Sequence, residues 1–120
     1  MDIIYPKHEI GKLGEEIVTK YLQKEGYEIL NRNFFSRKGE IDIIAKDKDE
    51  LVFIEVKTRS NKKFGKPSES VTEFKQKHII KAAKYYLYIT KQENELVRID
   101  VIEVSISKKK YYIHHIKQII

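Results

Sequence analysis

An α/β fold, a sheet with helices packed against it, follows from three features of the sequence. Two segments carry apolar residues at helical spacing, five have the β-branched and aromatic richness of strands, and the two kinds are interleaved along one chain. Ile10, Leu13, Ile17, Tyr21 and Leu22 recur on one helical face, and the pattern stops at Gly26, a residue suited to closing a helix. The first helix is therefore expected from residue 7 or 8 to residue 25. Residues 27–34 read as the first strand and 35–39 as a connection. Residues 41–45 and 51–57 flank the acidic turn Asp47-Lys48-Asp49-Glu50 and predict a hairpin. Residues 60–67, rich in Lys with one Gly and one Pro, have no periodicity and predict an exposed loop. Ser70 and Glu73 form a capping box that opens a second helix. Its stripe of Phe74, Ile79, Ala82, Ala83, Tyr86 and Leu87 extends to about residue 89. Residues 97–104 and 111–116 alternate as two further strands, and the hairpin strands are expected near the centre of the sheet.

Composition narrows the function classes. The 120 residues are a single-domain length, and a domain of this size buries about two-thirds of its unfolded surface. The absence of cysteine excludes disulfides and thiolate metal sites and agrees with a reducing cytoplasm. No apolar run approaches the roughly 20 residues that span a bilayer, and residues 1–6 lack the layout of a signal peptide, so a soluble cytoplasmic protein is expected. Lys and Arg number 24 against 18 Asp and Glu, a net charge of +6 that favours a polyanionic partner.

The hairpin carries the chemistry. With Lys48 and Asp49 at its tip, position 47 faces 50, 44 faces 53, and Asp42 falls opposite Glu55. Alternation then projects Glu40, Asp42, Glu55 and Lys57 from one face and places Ile41, Ile43, Ile54 and Val56 on the other. Facing carboxylates repel and lose hydration, a cost of roughly one to several kcal/mol unless a positive group compensates. A pairing of Lys57 with Glu40 would be the structural solution. A divalent cation is the functional one: Mg²⁺ takes oxygen ligands, keeps several waters and accepts one or two protein carboxylates. Lys57 would then hold an attacking water and stabilise charge developing on phosphate.

Gly39-Glu40-Ile41-Asp42 followed by Glu55-Val56-Lys57 resembles the core of PD-(D/E)XK nucleases, and Glu55-Val56-Lys57-Thr58-Arg59 is similar to the YraN-like family. The resemblance covers nearly the whole chain: Gly11, Gly14-Glu15, Tyr21-Leu22 and Gly26-Tyr27 upstream, then Val71, Lys75-Gln76, Ala82-Ala83, Tyr86-Leu87 and Asp100-Val101 downstream. Ile41 stands where the superfamily pattern has Pro, and Val18 where the family commonly has Ala; neither change removes a ligand. The resemblance implies a restriction-endonuclease-like core, a central mixed five-stranded sheet flanked by helices, akin to that of archaeal Holliday junction resolvases. It also implies Mg²⁺ or Mn²⁺ held by Asp42, Glu55, the Val56 carbonyl and Glu15, with Lys57 positioning water and a two-fold homodimer as the assembly. Glu16, next in the helix, reads as a solvated acid.

Basic residues cluster around the hairpin in sequence: Arg37 and Lys38 before it, Arg59, Lys62, Lys63 and Lys66 after it, Lys75 and Lys77 at the start of the second helix. These suit a phosphate backbone without base readout. Thr58 and Arg59 complete the family block as residues that orient substrate or the metal shell, and Gln76 is a candidate phosphate or water contact. Lys81, Lys84 and residues 108–110 read as a solvated face and a turn. Tyr21, Tyr86 and Tyr88 read as helix packing residues, and His114-His115 cannot both face one side of a strand, which argues against a two-histidine metal site. Asp100 stands out in an apolar strand, as either a structural hydrogen-bonding group or a contact near the site. The function expected is metal-dependent hydrolysis of phosphodiesters in branched or flapped DNA. A nucleic-acid-binding or scaffold module of the same fold is the alternative, and a metal-dependent RNA-processing enzyme a third.

Overall fold

The computed structural model describes residues 7–59, 73–108 and 110–119. The apolar stripes and strand segments fold into α1 (Lys7–Lys24), β1 (Glu28–Ser36), β2 (Gly39–Asp47), β3 (Glu50–Arg59), α2 (Glu73–Ile89), β4 (Val97–Ser107) and β5 (Lys110–Ile116). The strands form one five-stranded sheet in the order β1-β2-β3-β4-β5. Pairing is antiparallel except between β3 and β4, which run parallel because α2 carries the chain back across the sheet. This is the expected mixed α/β architecture, compatible with a restriction-endonuclease-like core, with β3 at the centre. The predicted loop at 60–67 and the capping residue Ser70 lie outside the described residues.

Each helix covers one face of the sheet. Under α1, Val18 and Leu22 pack on Ile43, Ala45, Val52, Ile54, Ile102 and Val104. Under α2, Ile79, Ala82, Ala83 and Tyr86 pack on Ile41, Ile44, Leu51, Phe53 and Ile99. The end of α1 is closed as its sequence predicts. Gly26 takes φ +94°, Tyr27 N donates to the Leu22 carbonyl at 2.9 Å, Gly26 N donates to that of Gln23 at 3.1 Å, and Tyr27 joins Leu22 in the core.

The hairpin has the predicted register. Asp47 pairs with Glu50, Ile44 with Phe53 and Ile43 with Ile54, and Lys48 at the tip has φ +58°. One expectation is corrected. Ile41 packs under α2 whereas Ile43, Ile54 and Val56 pack under α1, so strict alternation in β2 breaks between residues 41 and 43. The break faces an irregularity in β1: Asn33, between the Arg32–Ile43 and Phe34–Ile41 pairings, has φ +55°, whereas the extra residue Leu30 lies opposite Ala45 and Ile44, where alternation is intact. Irregularities of this kind re-aim side chains next to them. β1 also runs further than expected, to Ser36, so that Arg37 and Lys38 become the tip of a second tight hairpin, closed by Ser36 Oγ donating to the Gly39 carbonyl at 3.0 Å.

Candidate functional site

The β2–β3 ladder ends at Ile43 and Ile54, and Asp42 replaces the next rung with its side chain. Its Oδ2 accepts a 2.8 Å hydrogen bond from Val56 N–H, so the carboxylate enters the gap between the strands. Glu40, Ile41, Asp42, Ile54, Glu55 and Ile79 line a cavity of about 80 Å³ there. Burial pushes the Asp42 carboxyl up to about 6; the Val56 amide opposes this, while Glu55 and Glu15 push it further and Lys57 pulls it back. The three acids selected from the sequence therefore share one electrostatic environment.

Two features bring Glu15 to this place from α1. Gly14 lets the helix press onto β3: a Cβ there would stand 1.9 Å from Thr58 Oγ1, far inside contact distance. Asn33 holds the Glu15 side chain, its amide nitrogen turned to donate to Oε1 and Oε2 at 3.2 Å each. Thr58, expected to orient substrate or the metal shell, thus stands against α1.

On the α2 side, Lys57 Nζ lies 3.3 Å and Lys75 Nζ 4.0 Å from Glu55 Oε1. The Lys57–Glu40 pairing that a purely structural reading favours is replaced by this Lys57–Glu55 contact. Arg59 Nη2 lies 3.4 Å from Oε2 of Glu103, a buried acid whose backbone pairs in register with Lys57. Gln76 and Lys77 follow Lys75 along α2, Lys77 being exposed. Arg37 and Lys38 border a separate groove that Lys81 and Lys84 complete from α2. Lys62, Lys63 and Lys66 lie outside the described residues.

Among the described residues, no group of three or more His, Asp or Glu side chains is arranged as a ready metal cage. The donor set that is present, the Asp42 and Glu55 carboxylates lining a small cavity, suits a hard cation that retains water rather than one enclosed by protein. An ion there would also relieve the desolvation and mutual repulsion that raise Asp42, so the residues fit a cation of the Mg²⁺ or Mn²⁺ type.

Two further residues stand near this site outside any motif of the sequence. Asn33 could have been found as an Asn interrupting an apolar strand, the non-glycine type most tolerant of a left-handed backbone. Glu103 could have been found as an acid inside an apolar run. Asp100 belongs elsewhere. Fully buried on the α1 side, it accepts from Arg98 Nε at 2.9 Å and Nη2 at 3.1 Å and from Gln118 N at 2.9 Å. His115 Nε2 lies 2.7 Å from it, with Nδ1 2.8 Å from the Tyr21 hydroxyl. Arg98 also donates to Tyr27, Asp47 and Glu50. Asp100 is thus a structural hydrogen-bonding group that holds Arg98, and Arg98 anchors the tip of the β2–β3 hairpin.

No helix among the described residues is long and apolar enough to cross a membrane. Comparison with known proteins places these features in a family. Residues 14–104, from the glycine under which Thr58 packs into the buried run of β4, match the model of the uncharacterised protein family UPF0102. A UPF0102 protein of Clostridium perfringens is 53% identical over 111 residues, covering 90% of each chain. One from Caldicellulosiruptor saccharolyticus is 48% identical over 103 residues, 86% of this chain and 87% of its own. A third, from Clostridioides difficile, is 48% identical over 108 residues, 90% of this chain and 93% of its own. The chain belongs to UPF0102, the YraN-like family.

Proposed function

We propose that this protein is a divalent-metal-dependent endonuclease acting on structured DNA. The observation that carries the reading is Asp42: a partly buried carboxylate, raised to about 6, set between two strands beside Glu55 and Glu15 and within the influence of Lys57. A structural role gives no reason to set Asp42 and Glu55 at a desolvated gap within the field of Glu15, whereas phosphodiester hydrolysis does. The resemblance of Glu40-Ile41-Asp42 and Glu55-Val56-Lys57 to the PD-(D/E)XK pattern supports the same reading.

Asp42 and Glu55, with the Val56 carbonyl, would hold the cation, and Glu15, oriented by Asn33, would bind its water shell. When bound, the cation supplies Lewis-acid polarisation of the phosphate and a lowered pKa for water. Lys57 would orient the attacking water and stabilise charge on the phosphoryl oxygens. Water oxygen adds to phosphorus as it gives up a proton to solvent, the P–O ester bond breaks, and the departing alkoxide takes a proton from solvent. Arg59 and Lys75 border the same end of β3 and would meet the flanking phosphates.

A second reading, a nucleic-acid-binding or scaffold module, draws on the Lys57–Glu55 contact and on the lack of a ready three-acid cage among the described residues. One experiment separates the two. Linear, nicked, flapped and four-way DNA, with RNA of matched sequence, are incubated with the protein in Mg²⁺, Mn²⁺ or EDTA. Metal-dependent cleavage of branched or flapped DNA is expected, lost with Asp42→Ala or Glu55→Ala and reduced ~10²-fold or more by Lys57→Ala. Binding without hydrolysis in any metal would favour the scaffold, and turnover unchanged in all three variants would remove this site from the reaction.

A further inference from the structure

We infer that the outer face of α2 and the β1–β2 tip form a track for single-stranded nucleic acid, which leads an unpaired arm toward Asp42. The track deepens the nuclease reading above and rests on it for its direction, but its own argument is independent of the acids. Lys81, Lys84, Tyr85 and Tyr88 follow the i, i+3, i+4, i+7 spacing that aligns side chains along one helical face. Ile79, Ala82, Ala83 and Tyr86 fill the buried face, so the outer four are not required for the core. They form one wall of an open groove of about 590 Å³, and Arg37 and Lys38 at the hairpin tip form the other.

The chemistry of the walls selects the occupant. Tyr88 is 66% exposed, and Tyr85 is backed by the Phe34 ring, centroid to centroid 6.4 Å, which is in turn 5.3 Å from Tyr86 in the core. Tyr85 is therefore a supported aromatic surface at the edge of solvent. Exposed rings interleaved with four cations match the construction of single-strand binding surfaces, where bases stack on aromatics and cations follow the phosphates. Duplex DNA offers the same phosphates, but its bases are already stacked on one another. The rings therefore discriminate for unpaired strands.

Continuity with the acidic cavity gives the track its direction. His78 borders the groove and its neighbour Ile79 lines the Asp42 cavity. Gly39, with φ +143°, lets β2 begin close against α2, where a Cβ would stand 3.3 Å from the His78 carbonyl oxygen. The strand then runs from the groove through Glu40 and Ile41 to Asp42. A strand lying along Tyr88, Tyr85 and Arg37 would reach the acids where it leaves the groove, which makes a flap or a fork the substrate geometry.

Fluorescence anisotropy in EDTA, with a labelled single strand of about 12 nucleotides and a matched duplex, tests the track. The Tyr85→Ala/Tyr88→Ala protein should bind the single strand at least about tenfold more weakly with duplex affinity nearly unchanged, while Tyr85→Phe/Tyr88→Phe should bind like wild type. Tyr88→Ala alone, at an exposed position, should show part of the effect with an unaltered melting temperature. Single-strand affinity unchanged in these alanine variants, an equal loss for duplex and single strand, or wild-type binding of mononucleotides only would overturn the proposal. Single-strand binding that depends on the tyrosines with no hydrolysis in any metal would refute the nuclease reading and leave the track standing. Cleavage of flapped DNA that the tyrosine substitutions do not alter would do the reverse.

Discussion

At Asp42 the folded protein holds a carboxyl whose pKa is about 6, against 3.8 for an unhindered aspartate. Burial is the main cause, so folding favours the protonated form. The native state therefore binds more protons than the unfolded chain between those values, and stability falls as pH rises through that window. The contribution is complete below pH 3.8 and lost above about 6, and a shift of this size corresponds to on the order of 2–3 kcal/mol. Asp42→Asn keeps an oxygen to accept from Val56 N–H and removes the charge. It should stabilise the metal-free protein at pH 7.5 by up to about 2–3 kcal/mol, have little effect at pH 4, and abolish stabilisation by Mn²⁺. Denaturant titrations at the two pH values with and without metal measure this, and an equal or lower stability for the variant at pH 7.5 would contradict the electrostatic account. That Asp42 and Glu55 approach each other was legible in the sequence because a two-residue tip fixes the register of a hairpin. That Asp42 would replace a rung of the ladder was not, because the cause is the backbone of Asn33 on a neighbouring strand, and a single left-handed residue leaves no periodic trace.

Among the elements, α1 depends on one missing side chain. Gly14 faces Thr58 on β3, and a Cβ would clash with its Oγ1 at 1.9 Å and its Cβ and Cγ2 at 2.9 Å. Thr58 is β-branched and has little rotamer freedom with which to withdraw. Alanine is the better helix former by about 1 kcal/mol, yet overpacking typically costs about 1–3 kcal/mol. Gly14→Ala should therefore destabilise the protein and move Glu15 away from Asp42, and adding Thr58→Ala should recover part of the loss. Thermal melts of the single and double variants check the sign; a stabilised Gly14→Ala protein would mean that the helix stands further from the sheet. Both helices were legible from periodicity, since each buries one stripe, and the central strands from their β-branched and aromatic runs, since β3 and β4 are buried on both faces. Strand ends were less so: β1 continues to Ser36 and β4 to Ser107, because pairing with a neighbour extends a strand beyond the point where its own alternation fades. The α2 tyrosines were legible only in part, because packing residues and outward-facing rings share the same helical spacing. Tyr86 is 7% exposed and Tyr88 66%.

Across the whole molecule, the Arg98–Asp100 network lies on the α1 side of β4 and reaches the β2–β3 tip through Arg98, whereas Asp42 and Glu55 line a cavity closed by Ile79 of α2. Burial alone would raise Asp100, but hydrogen bonds from His115, Arg98 and the Gln118 amide outweigh it and hold its carboxyl below the usual range. Here the sign is opposite to that at Asp42: the stabilisation is present above the unfolded pKa and lost as pH falls through the depressed folded value. Asp100→Asn should cost about 3 kcal/mol or more at neutral pH, because Arg98 is left buried without its nearest charge. The network also bears on the order of assembly. The β1-β2-β3 meander closes through two tight turns and needs only neighbouring chain, whereas the parallel pairing of Leu51 with Val97 must wait until α2 has brought distant chain across the sheet. Arg98 arrives with that late strand and finds Tyr27, Asp47 and Glu50 already in place on the meander. It then acts as a latch on the slow step: in stopped-flow experiments Asp100→Asn should accelerate unfolding far more than it slows refolding, with a φ-value near zero. A φ-value near one would instead make β4 part of the nucleus. With β4 and β5 joining after the meander, the hairpin bearing Asp42 and Glu55 takes shape before the fold is secured, and a chain still emerging in synthesis would present its acidic end before it could hold it rigid.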